Sequence, residues 1–285
     1  MSLTTSIYQT GAVAAQQLLT AVYGLNPKHA MPNKPPQFSI ITVVYNDVGG
    51  LVLTKTSIAS QTFTDFEWIV IDGGSSDGAV DFLKQCDPLD LSWVSEKDRG
   101  IYDAMNKGML KSSGEYLVFL NAGDTLPSSD TLSQVRKALG IVPKPDVLLG
   151  GAEYIFPDGK TLFRPPKKVA QSIWHGLPAN HQATYYSRAI LEGLLYDIKY
   201  KICGDYYLIA KLYKKGFTPV YLEKPLVRFE VGGASYVNRR LLFWEPFLIQ
   251  RDVLLQPVLW RMASLLKRGI STLGMNVLQI IHRIK

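Results

Sequence analysis

Cysteine is nearly absent from this chain: Cys86 and Cys203 are the only two in 285 residues. Their separation fits neither a metal-ligand nor a redox spacing, so free thiols in a reducing compartment are expected. The four histidines form no His-Glu-x-x-His or mixed His/Cys set, which leaves no zinc signature. Long apolar runs are missing as well. The longest uncharged stretch, Met1 to Pro27, is broken by Gln9, Thr10, Gln16, Gln17 and Thr20. That weakens a membrane-spanning reading, and the stretch lacks the positive start of a secretory signal. Neither a Gly-x-Gly-x-x-Gly fingerprint nor a Gly-x-x-x-x-Gly-Lys-Ser/Thr phosphate loop occurs, so the usual dinucleotide and P-loop sites are excluded.

What is present begins with an uneven charge. The net charge is +7, but Arg239 to Lys285 alone holds eight Lys/Arg against two Asp/Glu. The body before it is close to neutral. A nucleic-acid binder more often carries its charge on the folded body, so no nucleic-acid partner is expected. A basic tail on a neutral body suggests attachment to an anionic surface. The chain is 47% hydrophobic and 19% charged, an ordinary composition for one large domain with appendages.

Four regions follow from pattern. Residues 1–37 combine an amphipathic helix, with Ile7, Gly11, Ala14, Ala15, Leu18, Val22 and Leu25 at helical spacing, and a proline-rich linker. In 38–145, apolar strands are expected at Phe38–Val44, Phe66–Asp72, Leu91–Ser95 and Glu115–Asn121, alternating with helices at Leu51–Ser60, Gly78–Gln85 and Ile101–Lys111. That alternation means βαβ units and a mostly parallel sheet, an α/β fold. Residues 146–238 read as α+β, with short strands at Val147–Ile155, Thr161–Arg164, Gln182–Tyr186, Pro219–Leu222 and Leu226–Phe229 and a helix at Asp205–Lys215. Residues 239–285 alternate apolar clusters with basic residues. This tail suits interfacial helices on an anionic membrane, or helices that pack on the body or form a dimer.

Ligands bind at the carboxyl ends of parallel strands, and the polar clusters stand there. Asp72-Gly73-Gly74-Ser75-Ser76-Asp77-Gly78 follows the second strand. It offers close backbone approach and an acceptor for a base or ribose, or else a plain turn with Asp77 as helix cap. Asn121-Ala122-Gly123-Asp124 follows the fourth strand. Asp124 is either a turn residue or the single carboxylate that Mg²⁺ or Mn²⁺ needs when substrate phosphates supply the other ligands. The stretch from Lys97 to Gly108 places Asp98, Arg99, Tyr102, Asp103 and Asn106 at a helix start; its cations could pair with a diphosphate, or its acidic residues could favour the helix dipole. Asp205 could cap its helix or act as a general base. His181-Gln182 precedes a strand, and a lone histidine is usually structural.

Together these stretches resemble the inverting glycosyltransferases of family 2, which have the GT-A fold, over about residues 38–235. Phe38-Ser-Ile-Ile-Thr-Val-Val-Tyr-Asn46 is similar to the family's first strand, Ile69 to Gly78 to its nucleotide-binding strand and loop, and Gly114 to Asp124 to the strand ending in its Asp-x-Asp-type motif. His181-Gln182-Ala-Thr-Tyr-Tyr and Gly232-Gly-Ala-Ser235 resemble a bacterial subgroup that builds surface polysaccharides. The resemblance implies a Rossmann-like, mostly parallel sheet with helices on both faces. The first half, 38–145, would bind the nucleotide sugar and the second, 146–238, the acceptor.

Roles follow by position. Thr42, Tyr45, Asn46, Asp72, Asp98, Arg99, Asn106 and Asn121 would bind the nucleotide or donor, and Asp124 the metal, Mn²⁺ or Mg²⁺. Asp205 would be the catalytic base, while His181, Gln182 and Tyr102 would face acceptor or donor sugar. Two departures stand out: Asp72-Gly73 replaces an acidic pair, and Asn121 to Asp124 leaves one carboxylate. The implied partners are a nucleoside-diphosphate sugar, UDP-sugar favoured, and a saccharide acceptor carried on a lipid, with a homo-oligomer open. The implied location is the cytoplasm, peripheral on the inner face of the cell membrane. Two alternatives stand beside this one. A sugar-nucleotide-making nucleotidyltransferase would need a Gly-rich, basic loop after the first strand, where Tyr45-Asn46-Asp47 stands instead. The other is an inactive nucleotide-sugar-binding scaffold.

Overall fold

The computed structural model describes residues 34–86, 91–141, 143–232 and 239–269. The helix expected over 7–25, most of the linker, Gly233-Ala234-Ser235 and the end of the tail lie outside them. The sheet is built around β1 (Phe38–Val44), which is buried over its whole length. A strand covered on both faces needs an unbroken apolar run rather than alternation. β2 (Phe66–Asp72) and β4 (Tyr116–Phe119) flank it in parallel, and β3 (Ser92–Ser95) adds to β2, also in parallel. Val44, Asp72 and Ser95 stand side by side in register, so the carboxyl ends of these strands share one edge.

The crossover helices are α1 (Val48–Ala59), α2 (Ala79–Gln85) and α3 (Ile101–Lys111). Alternate side chains of β1 point to opposite faces. Phe38, Ile40 and Val44 enter a core layer with Leu51 and Ile58 of α1 and Leu83 of α2, whereas Ile41 and Val43 enter the other layer with Met105 and Met109 of α3. Helices therefore cover both faces.

The second half continues the same sheet with mixed directions. β5 (Val147–Ile155), β6 (Thr161–Arg164), β7 (Thr184–Ser187) and β8 (Pro219–Glu230) extend it in the order β3-β2-β1-β4-β7-β5-β6, with β8 parallel to β5. β8 replaces the two short strands expected at Pro219–Leu222 and Leu226–Phe229. Register shifts around Gly151 let one strand absorb Pro225, which has no N–H to give to the ladder. A short helix, α4 (Thr131–Leu139), was not expected. Leu132, Val135 and Leu139 give it a buried face at helical spacing. Two single-turn helices, α5 (Val169–Ser172) and α6 (Arg188–Leu191), link the strands, and α7 (Gly204–Lys215) packs under the second core layer. In the tail, α8 (Arg239–Asp252) and a further helix, α9 over 258–269, follow. Ile249 of α8 is fully buried in the layer that holds α7, so the described part of the tail packs on the body.

Candidate active site

The loops after β1 and β2 brace each other. Asn46, in the left-handed region at φ 51°, donates its N–H to Ser75 Oγ and accepts Ser76 N–H on Oδ1, both at 2.8 Å. Asp77 Oδ2 accepts Val48 N–H at the start of α1, and Oδ1 accepts Ala79 N–H. Asp77 is not the cap of α2, however; Gly78 is, at φ 99°. Gly74 to Gly78 also spells Gly-x-Ser-x-Gly, but Ser76 donates its hydroxyl to Asn46 Oδ1; the stretch is a turn rather than a nucleophile elbow.

Asp72 is fully buried at the end of β2. Its Oδ2 accepts Gly74 N–H, Ser75 N–H and the Ser95 hydroxyl, the last at 2.6 Å. Its Oδ1 has no partner among the described residues. A buried acceptor left open costs free energy unless a ligand donor fills it. Beside it, a Cβ added to Gly73 would lie 3.1 Å from Asp98 Oδ2 and 3.2 Å from Tyr45 Cδ2. Tyr45, Asp72 and Asp98 thus converge on one spot, and the Tyr45 ring is 68% exposed, free to stack. Asp98 is held by the buried Lys107 ammonium at 2.6 Å, which also meets Glu96 at 2.7 Å. Burial raises the Asp98 carboxyl above its ordinary value against the pull of Lys107. Arg99 is paired with Asp103 at 2.6 Å.

Asp124 sits at the β4 end of the same edge, 5% exposed. Thr54 of α1 donates to its carbonyl at 2.8 Å. The reciprocal bridge between Thr125 and Arg228 ties its loop to β8, whose Glu230 N–H donates to Asp124 Oδ1 at 3.2 Å. Burial pushes the Asp124 carboxyl up to about 7, against the Gln182 amide and the Glu230 N–H, and the charges of Glu230 and Asp47 push it the same way. No Lys or Arg pairs with it among the described residues. A buried hard oxygen donor without a counter-cation fits a divalent ion whose other ligands are phosphate oxygens and water. No group of three or more His, Cys, Asp or Glu among the described residues forms a complete metal cage.

The remaining residues gather at Asp205, near the start of α7. The helix is capped by Cys203, without a side-chain bond, and Asp205 lies inside its first turn. Its Oδ1 accepts Tyr206 N–H at 2.7 Å. The Tyr102 hydroxyl donates to the Ile202 carbonyl at 2.7 Å and stands 3.5 Å from the same Oδ1. His181 Nδ1 stands 3.5 Å from Oδ2. Burial holds the imidazole down near 4, so it is neutral at neutral pH and the pair is not ionic. Burial raises the Asp205 carboxyl to about 6 against the Tyr206 N–H, a value suited to a base working near neutrality.

One three-residue turn, His181–Ala183, joins the two acidic centres. His181 meets Asp205, while Gln182, fully buried, accepts Asn121 N–H at 2.8 Å in the Asp124 loop. Two of the expected residues stand elsewhere. Thr42 is buried within β1 and accepts Trp68 Nε1–H at 2.9 Å. Asn106 donates to the Tyr196 carbonyl and accepts Tyr196 N–H, which pins Tyr196 against the Tyr102 ring. The sequence did not point to Tyr196 or Glu230, and it offered Lys107 only as one of the cations of the 97–108 stretch, where it pairs instead with Glu96 and Asp98. Their signals are ordinary, a helix-face cation, a lone tyrosine and a strand-end acid, and only the packing brings them to the site.

This mixed sheet, with one parallel edge of polar loops and helices on both faces, is the fold of the GT-A glycosyltransferases on which it superposes. Residues 39–204 match the family described as "Glycosyl transferase family 2". The chain belongs to that family and is a glycosyltransferase. An uncharacterized glycosyltransferase of Mycobacterium tuberculosis is 32% identical over 203 residues, 70% of this chain and 77% of that protein. A "PGL/p-HBAD biosynthesis glycosyltransferase" of Mycobacterium bovis is 30% identical, over 60% of this chain and 67% of that one. Among solved structures, S. aureus TarS in complex with UDP-GlcNAc superposes with a TM-score of 0.63 at 17% identity, covering 82% of this chain and 73% of TarS. The mannosyltransferase PcManGT from Pyrobaculum calidifontis, in complex with GDP-Man and Mn²⁺, gives 0.59 at 18% identity, covering 89% and 74%. At these identities the structures speak for the fold.

Proposed function

We propose that the protein transfers a sugar, with inversion, from a nucleoside-diphosphate sugar to a saccharide acceptor in surface-polysaccharide assembly. One observation carries the reading: the His181–Ala183 turn meets a buried base candidate, Asp205, on one side and, through Asn121, braces the loop of a buried cation-seeking carboxylate, Asp124, on the other. The open Oδ1 of Asp72 accepts an N–H or O–H of the nucleoside, and Tyr45 stacks on its base. The neighbour bound to UDP-GlcNAc favours a UDP-sugar. Asp124 is the residue that would hold Mn²⁺ or Mg²⁺, which would supply positive charge against the leaving diphosphate. Asp205, ionised above about pH 6, takes the proton from the acceptor hydroxyl as its oxygen attacks the anomeric carbon from the face opposite the leaving group. Neutral His181 and Tyr102 orient that carboxylate. Asp205→Asn should abolish nucleoside-diphosphate release from a panel of UDP- and GDP-sugars with added saccharides, while nucleotide binding persists. Transfer that survives the substitution would overturn the assignment.

The acceptor is lipid-linked in this reading, because the tail suits a membrane surface. No described helix is long and apolar enough to cross a membrane. Val258, Leu259, Met262 and Leu266 of α9, and Leu255 just before it, are nevertheless exposed, with Lys267 on the same helix. An apolar strip beside basic residues binds at the interface of anionic lipid. Removing the tail would also strip buried Glu245 and Ile249 from the body, so a point substitution is the cleaner test. Leu259→Asp should lower flotation with phosphatidylglycerol vesicles while the melting temperature holds; undiminished flotation would refute the membrane role.

A further inference from the structure

We propose that Glu245, on α8 and outside the family-matched stretch, is a positioning residue that sets where Asp205 stands. The inference rests on the reading of Asp205 as the base. Glu245 is 5% exposed, and its carboxylate accepts three successive backbone N–H groups. Oε1 takes Lys201 N–H at 2.6 Å; Oε2 takes Ile202 N–H at 2.9 Å and Cys203 N–H at 2.8 Å. These residues lead directly into α7, whose cap, Cys203, offers no side-chain bond. Buried backbone N–H groups, here that of the cap and those of the two residues before it, need an acceptor. Here a residue some forty positions later supplies it.

The loop so held is the floor of the base. Its Ile202 carbonyl anchors the Tyr102 hydroxyl at 2.7 Å, which in turn faces Asp205 Oδ1. Gly204 follows, and a Cβ there would fall 2.7 Å from the Tyr102 ring, so the main chain and that ring have little room to move relative to each other. Glu245 is itself fixed. Ile249 is buried one turn on, and Gln250 Nε2 donates to Ser264 Oγ of α9 at 2.9 Å. The Tyr206 hydroxyl, 3.5 Å from Gln250 Nε2, donates to the Ile173 carbonyl. Bonds to an ionised acceptor are shorter and stronger than neutral ones, and an error of about 1 Å in a catalytic group costs on the order of a hundredfold in rate. The carboxylate of Glu245 thus fixes the base through the main chain without touching substrate.

Glu245→Gln tests this. The change keeps the shape but turns one acceptor into a donor facing an N–H, and it removes a negative charge near Asp205. The groups around Asp205 are Tyr102, His181, Tyr186, Tyr196, Cys203 and Glu245; of these, Glu245 is the one altered. With UDP- and GDP-sugars as donors, kcat should fall roughly ten- to a hundredfold, and the donor KM should hold. The acidic limb of the kcat–pH profile should move to lower pH, because a neighbouring like charge holds a carboxyl pKa up. A loss of kcat that merely tracks loss of folded protein, with the limb unmoved, would make Glu245 a structural anchor and overturn the proposal; so would a wild-type kcat. Glu245→Asp, with the charge kept and the reach shortened, is the second variant; it too should lose kcat at constant donor KM, and wild-type kcat there refutes the idea. Asp205→Asn separates the two readings: if it retains activity the base assignment fails, whereas if it is dead and Glu245→Gln is normal only the positioning role fails.

Discussion

Replacing Asp205 by Asn should destroy activity and stabilise the protein at once. The carboxyl stands at about 6 in the fold against an ordinary 3.8, chiefly through burial. That is about two pH units, or ~3 kcal/mol at about 1.4 kcal/mol per unit. The sign follows from the direction. A raised folded value means the folded state prefers the neutral acid, so this contribution to stability is complete below 3.8 and is lost as pH rises through about 6. The amide is neutral throughout and still accepts the Tyr206 N–H. It gives up the charge near a helix start and the charged acceptor, a loss of ~1 kcal/mol. A net gain of ~2 kcal/mol at pH 8 corresponds to about 3 °C in Tm for a chain of this size. Differential scanning calorimetry of both proteins from pH 4 to pH 8 is the assay. The variant should melt higher at pH 8, and the gap should shrink or reverse at pH 4. A variant that melts lower than the parent at pH 8 would refute the reasoning, since that is what loss of a structural carboxylate produces.

Three further outcomes are expected. Asp124→Ala should abolish the Mn²⁺-stimulated rise in UDP affinity by calorimetric titration. In the parent that stimulation should strengthen as pH rises through about 7, because the cation competes with the proton on Asp124. Tyr45→Ala should weaken UDP binding by roughly tenfold, the size of one lost base stack, with Tm unchanged because the ring is exposed; equal affinity would remove Tyr45 from the site. Gly204→Ala should cost ~1–3 kcal/mol in urea unfolding through overpacking against Tyr102 and lower kcat with it, and a neutral effect on both would show that the ring is free to shift.

Much of the fold was legible because it rests on local chemistry. Unbroken apolar runs such as Phe38–Val44 and Phe66–Asp72 have one comfortable place, a strand covered on both faces, and their order with the intervening helices dictates a parallel edge carrying polar loops. Tyr45, Asp72, Asp98, Asp124 and Asp205 could be picked out because each follows a strand or starts a helix. The joining of Pro219–Leu222 to Leu226–Phe229 was hidden by Pro225, whose cost to a strand depends on whether a bulge can absorb it. Thr42 and Asn106 lie next to site residues in sequence, but β1 turns Thr42 toward Trp68 and the α3 face turns Asn106 toward Tyr196.

The sequence by itself determined the strand and helix order, the edge at which polar loops cluster, and the neutral body with its basic tail, since these depend on periodicity and composition along neighbouring residues. Tertiary structure alone decided which carboxylates lose water and which gain a partner. Asp124 and Asp205 are driven upward by burial, Asp72 is left with an open oxygen, and Glu245 reaches back over forty residues to hold the backbone that leads to Asp205. Desolvation and long-range hydrogen bonds are properties of what is packed around a group, and the chain does not carry that information at any single position.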